Sequence, residues 1–171
     1  LHMDKMNLFN KYRSCVKISN PLSNEMEYLR DSILPGLALA SSYNEKRMNN
    51  HYKLFEVGTV HWVESEDKYM QENSIGILWS DNSHKHWRDT IDFDLSMVKG
   101  ELSSLFSRFG LGDSIVYKET DNDSFSISID GSRIGSLYSL NNKLLNEFEI
   151  SNGTILAELN LDILISLCTK E

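Results

Sequence analysis

The spacing of apolar positions changes period several times along this chain, and each change predicts an element. Asn20-Pro21 favours an extended residue followed by a fixed turn, and Ser23 is placed to cap a helix. Met26, Leu29 and Ile33, with Tyr28, then fall on one helical face until Pro35-Gly36 interrupts it. Pro35 suits the first turn of a new helix, so the pattern predicts two short helices in preference to one long one. From Tyr52 the rhythm becomes Tyr52, Leu54, Val57, Val60 and Trp62 with charged or small residues between, which predicts a strand bent or bulged at Gly58.

Helical spacing returns at Val98, Leu102, Leu105, Phe106 and Phe109, with Asp94 placed as N-cap and Gly110 where a C-terminal glycine cap belongs. That stripe is expected to face a core. Ser114 to Leu140 then reads as short strands: Ile115 to Tyr117, the alternating Phe125, Ile127 and Ile129, and Ile134 to Leu137. Asp130-Gly131 between two such runs is a strong hairpin signal. Strands grouped by hairpins, without regular alternation with long helices, predict an α+β fold.

Composition narrows the picture. With 171 residues and 40% hydrophobic content the chain fits one complete core, and no Pro/Gly/Ser-rich linker divides it. The longest uncharged apolar stretch, Ile163 to Cys168, is far too short to span a membrane, and a soluble, cytoplasmic protein is expected. Leu1-His2-Met3 reads as a cloning remnant, which makes residues 4–171 a single excised domain. Cys15 and Cys168 show no metal spacing and are expected as free thiols. The net charge of −8, from 25 acids against 17 bases, argues against broad nucleic-acid binding, which draws its affinity from phosphate neutralisation. Lys46, Arg47 and Lys53 form the nearest thing to a basic patch, and they read more simply as a solvated helix end.

Asn-Pro-Leu-Ser at Asn20 to Ser23, Leu-Arg-x-Ser-x-Leu-Pro-Gly at Leu29 to Gly36, and Leu-Phe-Glu-x-Gly at Leu54 to Gly58 occur in an order that carries a resemblance. The segment resembles the opening of the catalytic-like domain of the bacterial phenylalanyl-tRNA synthetase beta-subunit family. Trp87, Asp92 to Leu95 and Lys99-Gly100 continue it, with Ser96 to Val98 as a departure. Weaker similarities follow at Asp130 to Gly135 and at Ala157 to Leu161, where Asn160 replaces the usual aspartate and Ser139 stands where a proline is common. The resemblance implies a class II synthetase architecture, an antiparallel sheet flanked by helices. It also implies a domain without catalytic residues, because in that enzyme the alpha subunit carries the active site.

Class II chemistry needs arginines on the polyphosphate of ATP. Where an active relative would present one after the Phe-Glu strand, this chain has Gly58-Thr59-Val60-His61-Trp62-Val63. Gly110-Leu111-Gly112 superficially resembles the glycine-rich strand that enters a helix in such enzymes, but Asp113-Ser114-Ile115 follows and the next arginine is Arg133. The expectation is therefore no catalytic, cofactor or metal residue in this piece, with ATP and Mg2+ belonging to the parent enzyme, phenylalanine-tRNA ligase. His84 and His86 could begin a metal site, but the polar flank Asp81-Asn82-Ser83 reads as loop, and zinc needs three or four convergent ligands. Glu64 to Asp67 reads as an exposed connection between strands, since it lacks the ligand pattern of a calcium loop.

The expected role is a structural module that supports the alpha subunit's active site and the assembly of the enzyme, with a free-standing, non-aminoacylating binding or regulatory protein as the alternative. The alpha subunit is the implied partner. Contact with tRNA is expected through the parent complex, weakly or not at all by this piece, and a homodimer is possible in isolation. In class II enzymes the first helical region and neighbouring strand commonly form the subunit interface. Here Leu34, Leu37, Ala38, Leu39 and Ala40 exceed what one buried helix face requires, which makes Leu34, Leu37 and Leu39 the interface candidates.

Overall fold

The computed structural model describes residues 9, 14–23, 27–49, 52–65, 68–80, 94–120, 124–151 and 153–169. Its elements, in chain order, are α1 (Leu34–Glu45), β1 (Lys53–Ser65), β2 (Lys68–Ser80), α2 (Leu95–Ser107), a 3-10 turn (Gly112–Ser114), β3 (Ile115–Glu119), β4 (Ser124–Ile129), β5 (Ser132–Ser139), α3 (Asn142–Phe148), β6 (Thr154–Asn160) and α4 (Leu161–Cys168). The six strands form one sheet in the order β1-β2-β6-β5-β4-β3, and every neighbouring pair is antiparallel.

Strand alternation sends successive side chains to opposite faces, and both faces are covered. Leu78 of β2, Leu156 of β6 and Val60 of β1 are buried with Leu34, Leu37 and Ala38 of α1 and Phe148 of α3. Trp79, Ile155, Ala157 and Leu159 point the other way, joining Val98, Leu102 and Phe106 of α2 and Leu167 of α4. The result is an α+β molecule with α1 and α3 on one side of the sheet and α2 and α4 on the other.

Local signals are met where the chemistry is local. The Asp94 side chain accepts the Met97 N–H at 2.8 Å and caps α2, and Gly110 takes a left-handed φ of 75° after its end. Asp130 and Gly131, with φ of 49° and 75°, form the tight turn between β4 and β5. The core stripe of α2 is narrower than its spacing suggests, since Leu105 and Phe109 are exposed.

Two expectations are corrected. Described residues Glu27 to Ile33 form no helix: Tyr28 bridges Lys17 in antiparallel fashion, with Ile18 N–H bonded to Glu27 C=O at 2.8 Å and Leu29 N–H to Val16 C=O at 2.9 Å. These backbone groups are extended against a neighbouring segment, and that pairing overrides the helical spacing of Leu29 and Ile33. Nor does β1 break at Gly58. It runs in register with β2 from Lys53 to Val63, and the irregularity falls between Val63 and Ser65. Sequence reasoning placed no helix at Asn142–Phe148 or Leu161–Cys168.

Candidate functional site

The segment from Arg30 to Gly36 is fastened to the sheet side chain by side chain. The Arg30 guanidinium is ion-paired with Glu56 and donates from Nε to the Thr59 carbonyl at 3.1 Å. It lies over Gly58, where a β-carbon would meet the guanidinium and displace it from this position. Glu158, on the central strand β6, accepts the Ser32 hydroxyl at 2.7 Å on Oε2 and the Ile33 N–H at 2.8 Å on Oε1. Ser32 Oγ in turn accepts the Leu34 N–H at 3.1 Å. A carboxylate and a hydroxyl thus satisfy N–H groups at the start of α1, where the helix dipole favours negative charge, and Pro35 occupies the first turn. The Leu29 to Gly36, Leu54 to Gly58 and Ala157 to Leu161 motifs, distant in sequence, meet here.

What this fastening presents is the outer side of α1. Leu34 and Leu37 are buried in the chain's own core, so of the three residues put forward for an interface they are not available to a partner; Leu39 points outward. With Leu39, exposed Tyr43 continues the outward stripe four residues on. The Arg47 guanidinium stacks on the Tyr43 ring at 3.4 Å from its centroid, lengthening the same surface.

The described residues at the positions weighed for a phosphate site are engaged in contacts of another kind. Trp62 packs against the α1-side core. Thr59 bonds Asn73 through its hydroxyl at 3.2 Å. Gly110 to Gly112 is no strand: it links the end of α2 to the 3-10 turn. The strand that does run directly into a helix is β6 into α4, and no arginine occurs in either. Asn160 caps that helix by accepting the Ile163 N–H at 2.9 Å and donates to Glu72 at 2.8 Å. An amide serves both bonds, which accounts for its standing in place of an aspartate.

The three cations of the suspected basic patch are each engaged within the chain: Lys46 with Glu149, Arg47 on Tyr43, and Lys53 with Glu101 at 2.6 Å. Glu101 also accepts the Trp79 indole N–H at 2.9 Å. Burial raises its pKa, but the hydrogen bonds from Lys53 and Trp79 and the charge of Lys53 prevail and leave it below the ordinary glutamate value. Glu64 and Lys68 pair across the β1–β2 connection; Glu64 and Ser65 are exposed, and Glu66 and Asp67 lie outside the described residues. His84 and His86 lie outside the described residues. Among the described residues no group of three or more His, Cys, Asp or Glu side chains converges to hold a metal ion, no helix is long and apolar enough to cross a membrane, and neither Cys15 nor Cys168 is in a disulfide.

Comparison with known proteins places this geometry. The fold is similar to two solved pyrrolysyl-tRNA synthetase structures from Desulfitobacterium hafniense. The TM-scores are 0.68 and 0.70 at 13% identity, over 94% and 96% of this chain and 54% and 55% of those chains. At that identity the likeness is one of fold, the class II synthetase architecture. Curated relatives named phenylalanine–tRNA ligase beta subunit are 28% identical: in Protochlamydia amoebophila over 96% of this chain, in Legionella pneumophila (strain Paris) over 88% and in Listeria monocytogenes serovar 1/2a over 91%. The chain spans only 21%, 20% and 20% of those relatives' own lengths. A family match covers residues 2–161, and by it the chain belongs to the family described as the phenylalanyl tRNA synthetase beta chain CLM domain.

Proposed function

We propose that this chain is a non-catalytic structural module of a phenylalanine–tRNA ligase beta subunit, which supports an alpha-subunit active site and the assembly of the enzyme that joins phenylalanine to its tRNA. The observation that carries this reading is the use of the family's motifs. Arg30, Glu56, Gly58, Ser32 and Glu158 hold α1 to the sheet, and the outward stripe of α1 is left uncovered. ATP and Mg2+ then belong to the alpha subunit, tRNA is met by the complex as a whole, and the location is the cytoplasm, where protein synthesis proceeds. The alternative of a free-standing regulator has no observation in its favour.

The test is association with the matching alpha subunit. Leu39→Asp and Tyr43→Asp alter exposed positions, so thermal stability is expected to hold while affinity for alpha falls by about 2 kcal/mol or more, roughly 30-fold. Leu37→Asp serves as the contrasting change, since it places a charge in the core and should prevent folding. Full-strength alpha binding by both outward variants would place the interface elsewhere.

A further inference from the structure

Helices α1, α2 and α3 end in the same hydrogen-bonded turn and differ in what occupies its left-handed position. After α2, Gly110 and Leu111 donate their N–H groups to Ser107 and Phe106 C=O, each at 3.0 Å, with Gly110 at φ 75°. After α3, Glu149 and Ile150 donate to Asn146 and Leu145 C=O at 3.1 and 2.9 Å, with Glu149 at φ 56°. After α1, Met48 and Asn49 donate to Glu45 and Asn44 C=O at 2.8 and 3.1 Å, with Met48 at φ 60°. Glycine takes this conformation without steric cost, and a residue with a β-carbon does not. The Glu149 side chain has a use there, the ion pair with Lys46. Met48 is 88% exposed and packs on nothing in the chain. The residue after each turn differs as well. Leu111 and Ile150 are buried in the same clusters as Phe106 and Leu145, the apolar contact that accompanies such an end. Asn49 donates instead to the Asn44 side chain at 3.3 Å and is exposed, so the end of α1 stands in solvent.

We propose that Arg47 and Met48 anchor the alpha subunit at the end of α1, with Met48 in an apolar pocket of alpha and Arg47 against a carboxylate at the rim of that pocket. This rests on the reading of the chain as a beta-subunit module. Alpha is the occupant because these residues continue the stripe already given to it. Exposure rises along that stripe, from 37% at Leu39 through 58% at Tyr43 to Met48 at its end, and Arg47 joins the last two by stacking on the Tyr43 ring. The carboxylate follows from charge. Lys46 is paired with Glu149, whereas Arg47 makes, besides the ring contact, a bond of 3.4 Å to the Tyr43 C=O and pairs with no carboxylate among the described residues. Methionine, unbranched and adaptable, suits the pocket, and arginine is favoured among residues that dominate binding.

Met48→Gly separates a partner contact from a structural role, because its two readouts move in opposite directions. Relief of the left-handed strain should leave the thermal midpoint of this chain at or above wild type, while affinity for the matching alpha subunit falls roughly tenfold. Met48→Asn, which tolerates the left-handed region but lacks the apolar side chain, should lose alpha binding to the same degree. Arg47→Gln should weaken alpha binding at low salt, with the gap to wild type closing toward about 0.5 M salt. Leu39→Asp is the control for the module reading. If Leu39→Asp weakens alpha binding while both Met48 variants bind at full strength, the inference is wrong and the module reading stands. If wild type does not bind alpha at all, both fall. An Arg47→Gln gap that salt leaves unchanged would overturn the carboxylate. A lowered thermal midpoint in Met48→Gly would return Met48 to the chain's own fold, and a dimer of this chain alone that Met48→Gly dissolves would assign the contact to a second copy; either overturns the proposal.

Discussion

Glu101 joins three elements with one carboxylate, to Lys53 of β1 and Trp79 of β2 from its place on α2. Because its folded pKa lies below the unfolded value of about 4.3, its contribution to stability is complete above that value. The contribution is lost as pH falls through the folded value. Urea midpoints measured from neutral pH to about pH 3 should therefore show wild type above Glu101→Gln at the neutral end, with the gap closing in acid. A gap independent of pH would show that the carboxylate's charge is not what binds α2 here. The pair is partly exposed, so the effect is small and weakens with salt. At this scale the legible residues were those whose partners are close in sequence. Asp94 caps three residues on, and Asp130-Gly131 turns within two. Glu101 to Lys53, across 48 positions, carries no local signature.

Helix α1 is positioned by a residue far outside it. Glu158 satisfies the Ser32 hydroxyl and the Ile33 N–H, so Glu158→Ala leaves these donors without their acceptor near the core. The expected cost is about 1–3 kcal/mol of unfolding free energy, and Glu158→Gln, which keeps an acceptor oxygen, should cost less. Chemical denaturation of the two variants checks this, and equal stability of Glu158→Ala and wild type would remove Glu158 from the account of how α1 is held. Element by element, α1 was legible from Pro35 and α2 from its stripe and caps. The segment from 27 to 33 was misread because Leu29 and Ile33 have helical spacing while their backbone is drawn into pairing and into the start of α1. Short α3 and α4 escaped notice, although Asn141 and Asn160 both act as N-caps; a capping residue ahead of seven or eight residues is a weak signal without the sheet to pack on.

At the scale of the molecule, the described residues at the positions weighed for phosphate are committed to other contacts. Trp62 lies in the strand segment where an arginine is needed, and it is part of the packing between α1 and the sheet. Arg30, the arginine bound across that strand, is already held by Glu56 and Thr59. The purified chain is accordingly expected to show no phenylalanine-dependent ATP–pyrophosphate exchange. Turnover above the no-enzyme background that grows with phenylalanine would contradict this.

Period, caps and turns determined the fold class, the hairpin at Asp130-Gly131, the α2 boundaries and the β1 strand, because each rests on residues within a few positions of one another. The ordered motifs carried the family, and the lack of an arginine at Gly58 to Val63 and at Asp113 to Ile115 carried the expectation of no phosphate site. Only the tertiary structure decided that Leu34 and Leu37 face inward while Leu39 faces out. A helix whose apolar residues encircle it has no single preferred face until a sheet selects one. The same holds for the motifs themselves. That Arg30, Glu56 and Gly58 form one contact, and that Glu158 begins a helix more than a hundred residues earlier in the chain, follows from the order in which the strands pair, and that order is set by long-range packing that no local pattern encodes.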